Sequence, residues 1–162
     1  MPDTNEINPA TIEEFRQTNT VPTPEQMNAF NQQIVENFRA NKGQVTIDPF
    51  KGGPIVLVHH KGAKSGTERI SPLAYDLDGD NVIIIASKGG APENPAWYHN
   101  LVANPETTIE FGPDTIKVTA EALTEGPERA RLYKQMADKM QNFHEYQKNT
   151  DRLIPVVVLH RR

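Results

Sequence analysis

No cysteine occurs anywhere in this 162-residue chain, so disulfides, thiolate metal sites and cysteine nucleophiles are excluded. That absence fits a cytosolic protein. Long apolar runs are missing too. The longest, such as "PVVVL", are strand-sized, far short of the roughly 20 residues that a membrane-spanning helix requires. The opening "MPDTNEINPATIEEF" is acidic and has no apolar run, so neither a signal peptide nor a transmembrane helix is expected there. Nor is there an excess of basic residues. A formal net charge of -4 argues against a general nucleic-acid binder or a polybasic membrane binder. The expectation is a soluble, cytoplasmic protein of one domain, long enough to bury a core without staples.

Metal-ligand spacing is also lacking. His59 and His60 are adjacent in a predicted strand, so they point to opposite faces and cannot chelate one ion together. His99, His144 and His160 fall in unrelated segments, and the carboxylates are scattered. No serine sits in a nucleophile-elbow pattern. A metal centre, a hydrolytic triad and a nucleic-acid partner are therefore not expected, and a small-molecule ligand is.

What is present divides at about residue 48. Before it, polar helix-forming sequence dominates: Asn8 and Pro9 open one helical stretch, "VPTPEQ" breaks it, and a second follows. In that second stretch Thr23 is placed to cap, Pro24 to occupy the first turn, and Gly43 to follow the end. Met27, Phe30, Ile34 and Phe38 recur at helical spacing, which predicts a stripe facing the core. The same stripe could instead cover a substrate opening or touch a membrane surface, although it lacks the Lys and Arg bias of a membrane-binding helix. Beyond residue 48, short β-prone runs alternate with Gly, Asp and Pro. "PIVLVHHK", "ERISPLAYDLD", "NVIIIAS", "TTIEFG", "TIKVTAEAL" and "RLIPVVVLH" read as strands, and "DGDN" and "GPD" as hairpin turns. "GPERARLYKQMADKMQNFHEYQKNT" reads as one long helix. The class is α+β: a small antiparallel barrel or strongly bent sheet, flanked by helices. The division is an N-terminal helical segment, 1–47, and a barrel, 48–162, forming one compact unit.

Three stretches carry chemistry. In "HHKGAKSGTERISPL" the cations Lys61, Lys64 and Arg69 surround two glycines and Ser65 in a tight turn, a composition suited to phosphate oxygens. The same residues also suit a solvated hairpin tip, and the loop lacks the order and the following helix of a Walker motif. In "IIIASKGGAPENPAWYHN" a strand ends in Ser87, Lys88 and two glycines. Asn94 and Pro95 then read as the cap and first residue of a short helix bearing Trp97 and Tyr98. Such a helix start suits an anion, and the aromatic faces suit a planar ring. Trp97 would equally serve as a plug for a barrel end. In "MQNFHEYQKNTDR" Met140, Phe143 and Tyr146 fall three apart and share a helix face, with His144 nearby. That face is either core or one wall of a substrate pocket.

Taken together and in order, "GAKSGTERISPL", "GDNVIIIASKGGAPENPAWYHNLVANP" and "FHEYQKNTDRLIPVVVLHR" resemble the deazaflavin-dependent nitroreductase family, from about residue 54 to the C-terminus. The resemblance implies a split β-barrel like that of flavin-mononucleotide-binding oxidases. It also implies coenzyme F420, a deazaflavin with a phospholactyl-oligoglutamate tail. By the same resemblance, Lys64 and Arg69, with Ala63 and Ser65, would hold the phosphate and acidic tail. Ile70, Ser71, Pro72 and Leu73 would run along the ring system. Ile85, Ala86, Ser87 and Lys88 would line it from a strand end, and Ala96, Trp97, Tyr98 and Asn100 would close over it. The reaction implied is hydride transfer to an electron-poor small molecule: a quinone, a conjugated enone or lactone, or a nitroaromatic. Tyr146, Tyr98 and His144 are the candidate proton donors, and Met140, Phe143 and Tyr146 the candidate substrate wall. Members noted for quinone and nitroimidazole reduction carry tyrosines where Met140 and Phe143 stand, so a shift toward less polar substrates is expected. Two other roles suit the same barrel: a carrier that binds the deazaflavin without catalysis, and an oxidase using flavin mononucleotide.

Overall fold

A computed structural model of the protein describes residues 24–48 and 50–162. The expected cap at Thr23 and the helical stretch opened by Asn8 and Pro9 lie outside these residues. The first described element is helix α1 (Pro24–Ala40). It is followed by strands β1 (Ile55–Lys61), β2 (Glu68–Ala74), β3 (Asp76–Asp78) and β4 (Asn81–Ile85). Helix α2 (Ala96–Ala103), strands β5 (Glu106–Phe111) and β6 (Asp114–Leu123), helices α3 (Pro127–Lys139) and α4 (Asn142–Lys148), and strand β7 (Val156–Arg161) complete the order.

All the strands form one seven-stranded sheet in the order β2-β1-β5-β6-β7-β4-β3, and each neighbouring pair is antiparallel. The two outermost strands, β2 and β3, are separated in sequence only by Tyr75. A sheet whose opposite edges are joined by one residue must curl until those edges meet, which makes it a split barrel. The sequence reads "ERISPLAYDLD" as a single strand. It divides at Tyr75: the Tyr75 N–H extends the β1–β2 ladder by donating to the Pro54 carbonyl at 3.1 Å, whereas Asp76 already pairs with Ile83 of β4, so the chain passes there from one edge to the other. Pro72 sits in β2 without cost because an edge strand has one unpaired side.

Strand periodicity sorts the core into an inside and an outside. Val56, Val58, Val82, Ile84, Val157 and Leu159 face the barrel interior with Ile109, Val118, Trp97, Tyr98 and Leu101. Their alternates face outward and are roofed by helices. Ile55 and Leu57 lie with Phe30, Ile34, Val35 and Phe38 of α1. Ile83, Ile85, Val156 and Val158 lie with Leu132, Tyr133, Met136 and Phe143 of α3 and α4. The end of α1 reaches the β5–β6 turn through two glycines. Gly43 has φ +92°, and a Cβ there would collide with the Gly112 backbone.

The long helix read through residue 150 is two helices. Met140 leaves helical geometry with φ -129° and ψ 88°, and α4 restarts at Asn142. Neither glycine nor proline marks the break. Contacts on both sides fix it instead: the Tyr133 hydroxyl donates to the Phe143 carbonyl at 2.5 Å, and the Gln141 amide donates to the Asp138 carbonyl at 3.1 Å. Met140 therefore does not share a continuous helix with Phe143 and Tyr146. No helix among the described residues is long and apolar enough to cross a membrane.

Candidate active site

An open cleft of about 980 Å³ lies between α1, β2 and the start of α2. Its walls are Asn31, Gln32, Val35 and Arg39 from α1, Glu68 to Ser71 from β2, and Lys88, Pro95, Ala96 and Trp97 from the opposite rim, with His59 and His60 at its base. A smaller recess of about 290 Å³ shares His59, His60 and Glu68 with it and continues to Lys61 and Arg162. Of the residues assigned from sequence to the cofactor, Arg69, Ile70, Ser71, Lys88, Ala96 and Trp97 thus meet at one cleft, although they come from three separate segments.

The β1–β2 connection is held by its own backbone: the Gly62 N–H donates to the Thr67 carbonyl and the Gly66 N–H to the Gly62 carbonyl, each at 2.9 Å. Ser65 spends its hydroxyl inside the turn, accepting from the Thr67 N–H at 3.2 Å. Lys64 and Arg69 are exposed. Among the described residues no carboxylate pairs with either of them, whereas Lys61 faces Glu68 at 4.0 Å and Lys88 faces Glu93 at 2.8 Å.

The opposite rim is built around an arginine that the sequence reading does not single out. Arg152 donates to the carbonyls of Ala91 at 2.8 Å, Ser87 at 2.8 Å and Ala86 at 3.3 Å, and to the Asn94 side-chain oxygen at 2.7 Å. Asn94 consequently caps nothing. Pro95, with φ -68° and ψ 156°, precedes the first helical residue, Ala96. The expectation that Asn94 caps α2 with Pro95 as its first residue is corrected by one position. Gly90 has a packing role. With φ +84°, it lies where a Cβ would stand 2.7 Å from the Tyr146 carbonyl, so its bareness lets the rim pack on α4. Lys88 is itself in the left-handed region, φ 46°, a conformation that costs a lysine about 1 kcal/mol.

Other assigned residues lie elsewhere. Ile85 belongs to the outer cluster, while Ala86 and Tyr98 belong to the barrel interior. Burial raises the Tyr98 phenol above its ordinary pKa. Pro72 is buried in β2, Leu73 packs against the interior cluster, and Ser87 is buried beside the Arg152 anchor. Met140, Phe143 and Tyr146 pack with Ile83, Ile85 and Met136, and the Phe143 and Tyr146 rings meet edge to face at 5.7 Å. His144 is bound to Asp138 at 2.8 Å. None of Tyr98, His144 and Tyr146 is among the residues walling the large cleft. Among the described residues no three His, Asp or Glu side chains gather as a metal site.

The strand period separates the two adjacent histidines. His59 faces outward and meets Glu110 at 2.8 Å, and Glu110 also accepts from Arg39 Nε at 2.9 Å and Nη2 at 2.8 Å. His60 faces inward, 4% exposed, with Nδ1 2.9 Å from Asn100 Nδ2 and Nε2 2.8 Å from Ser71 Oγ. Asn100 in turn accepts from the Ala63 N–H at 3.0 Å. Burial first, then the charges of Arg69 and His59, lower the His60 pKa to about 4, so the ring is neutral at pH 7. Sequence reasoning considered His60 only as a metal ligand. Its shared parity with Val56 and Val58 in β1 is the signal that it points inside.

A split barrel with cations, an aromatic helix start and a buried polar chain around one open cleft defines a cofactor-binding protein of the split-barrel oxidoreductase type. The family model for F420H(2)-dependent quinone reductase matches residues 30–161, and the chain belongs to that family. An F420H(2)-dependent quinone reductase of Mycobacterium tuberculosis is 46% identical over 111 residues, covering 67% of this chain and 74% of that one. Among solved structures, an F420-H2 dependent reductase superposes with a TM-score of 0.61 at 41% identity, covering 66% of this chain and 94% of the other. Another, described as a domain-swapped dimer, covers 85% of this chain and 100% of its own at 34% identity, with a TM-score of 0.63. The heme storage protein HutZ of Vibrio cholerae shares the fold alone, at 11% identity and a TM-score of 0.52. The family match begins inside α1, upstream of the residue-54 boundary at which the resemblance is legible in the sequence. Membership makes the chain an oxidoreductase whose cosubstrate is reduced coenzyme F420.

Proposed function

We propose that the large cleft binds reduced coenzyme F420 and presents it to a quinone. The observation that carries this reading is the convergence of Arg69, Ile70, Ser71, Lys88, Ala96 and Trp97 on that cleft. The residues fit the coenzyme: the volume accommodates a tricyclic ring, and the exposed cations Lys64 and Arg69 suit an anionic tail. When bound, the reduced deazaflavin supplies a hydride, and the protein supplies binding, orientation and exclusion of water. Lys64 and Arg69 hold the tail. Ile70 and Ser71 run beside the ring, and Ala96 and Trp97 close the opposite side. Ala63 and Ser65 complete the cationic turn, Ser87 and Asn100 steady the rim and the turn through Arg152 and the Ala63 N–H, and Pro72, Leu73, Ala86 and Tyr98 are packing residues of the barrel, as Ile85 is of the outer cluster. Residues 48–162 form the coenzyme-binding unit, and the segment before them adds a wall through α1. Enones and nitroaromatics are further acceptors to test; Met140, Phe143 and Tyr146, expected as the wall that tunes the choice, pack in the outer cluster and do not wall the large cleft. A cytoplasmic location is part of the same reading.

Titrating oxidised coenzyme against the protein and following its fluorescence tests the assignment. Saturable binding at micromolar protein is expected, together with accelerated oxidation of the reduced coenzyme by menadione. Binding without acceleration would make the protein a carrier. Absence of binding would remove the reading, and flavin released from purified protein would favour a flavin oxidase.

A further inference from the structure

The polar chain beneath the cleft runs in one direction, and that direction follows from groups that can only donate. The Ala63 N–H is a donor, so the Asn100 atom it meets is the side-chain carbonyl oxygen. The Asn100 amide nitrogen therefore faces His60 Nδ1. An amide nitrogen can only donate, so Nδ1 accepts and the ring proton sits on Nε2. Nε2–H then donates to Ser71 Oγ. Having accepted, the Ser71 hydroxyl keeps its own hydrogen. Among the described residues no protein acceptor takes it, and Ser71 lines the cleft. The chain is sealed at its inner end, with His60 4% and Asn100 7% exposed. It is also tied to the cationic turn, because Ala63 is the residue before Lys64.

We propose that His60 is a positioning residue: through this one-way chain it aims the Ser71 hydrogen into the cleft. The bound ring is therefore read at that point by an acceptor atom, a carbonyl oxygen or an unprotonated ring nitrogen, and an N–H in the same place is disfavoured. The inference rests on the reading of the cleft as the coenzyme site and adds which edge of the ring meets β2. The pyrimidine-type carbonyl edge of a deazaflavin has the required acceptors. A protonated His60 would carry hydrogen on both nitrogens, and Nδ1–H would oppose the Asn100 amide. The lowered His60 pKa agrees with this. The charged or titratable groups around it are Arg69 opposite on β2, His59 beside it on β1, Lys61, Glu68, Glu106 and Arg162 in the adjoining recess, and Arg39 and Lys88 across the cleft.

Two measurements test it. In the protein without coenzyme, nitrogen NMR of the His60 imidazole should show the Nε2–H tautomer, neutral until pH approaches about 4. An Nδ1–H tautomer, or titration near the ordinary 6.5, overturns the chain. In coenzyme titrations, Ser71→Ala and His60→Leu should each weaken binding roughly three- to tenfold, the value of one neutral hydrogen bond. His60→Gln, whose amide can accept from Asn100 and donate to Ser71, should stay within about twofold of the wild type, and the salt dependence should be unchanged in all three. Should His60→Leu not fold, Ser71→Ala and the Gln variant carry the comparison. Unweakened binding by Ser71→Ala, or Gln no better than Leu, overturns the proposal. If the wild type itself fails to bind, the coenzyme reading falls, while the tautomer still decides the polarity of the chain.

Discussion

Two helical covers lie on the outer face of the same sheet, and they are fastened by different physics. The α3–α4 cover is locked by buried polar groups. Arg129, 7% exposed, donates twice to the Ile154 carbonyl at 3.0 and 2.8 Å and once to Gln147 at 2.8 Å, with its guanidinium 4.4 Å over the Tyr133 ring. The α1 cover has an apolar stripe beneath it, but its polar fastening is Arg39 on Glu110, and the Arg39 side chain is 49% exposed. Only the second cover contributes walls to the cleft. The chemistry thus lies beside the more loosely tied helix, while the firmly locked pair supports the rim from behind through Gly90.

The sharpest test of this contrast is Arg129→Ala. It strands the Ile154 carbonyl in the interior and should cost about 3–4 kcal/mol, read by denaturant unfolding. Coenzyme affinity of the remaining folded protein should be unchanged, because Arg129 is remote from the cleft. A loss below about 1 kcal/mol would show that the lock is not one.

Ile34→Ala on the other cover should cost about 2–3 kcal/mol through the cavity left against Ile55 and Leu57. Its consequence differs in kind. Val35, Asn31 and Gln32 on the same helix wall the cleft, so coenzyme affinity should fall together with stability. If affinity held while stability fell, α1 would be a cover for the barrel and not a wall of the site.

A third expectation concerns the cations of the β1–β2 turn and the start of β2. Replacing Lys64 and Arg69 together by Ala should weaken coenzyme binding about tenfold, or about 1.4 kcal/mol, with the loss greatest at low salt. Stability should hardly move, since both side chains are exposed. Equal losses at low and high salt would mean that the cations do not act through charge.

Much of the barrel was legible because short apolar runs bounded by turn residues read as strands: "IVLVHH" and "NVIII" are buried on both faces, with the two core faces in their even and odd positions. The turns "DGDN" and "GPD" were legible through glycine. The helix break at Met140 was not, because it is set by Tyr133 reaching the Phe143 carbonyl, a contact between residues ten apart that no local propensity announces. Of the candidate site, the cations and the aromatic helix start could be read from composition and order. Arg152 and His60 could not be given their roles that way. Each acts on backbone or side-chain groups from distant segments, 86–94 for one, and Ser71 and Asn100 for the other. The wall supplied by α1 was invisible for a similar reason: its apolar stripe says that it packs, but not that its neighbouring face borders a cleft.

The smallest effect expected is that of Arg39→Ala, and its pH dependence says more than its size. Glu110 lies below the ordinary carboxylate pKa of 4.5, because Arg39 hydrogen-bonds to it and His59 adds a second bond, while partial burial opposes both. A carboxylate whose pKa is lowered by folding contributes stability above its unfolded pKa and loses that contribution as pH falls through the folded value. At pH 7 the wild type should therefore exceed Arg39→Ala by under about 1 kcal/mol, since half-exposed ion pairs are screened. On acidification the gap should begin to close below pH 4.5 and vanish once Glu110 is protonated. Denaturant midpoints of both proteins between pH 7 and the acid range measure it. A gap that persisted after Glu110 had titrated would mean that Arg39 holds α1 by packing its aliphatic stem, and the contrast between an ionic and a buried fastening would then narrow to a difference in burial alone.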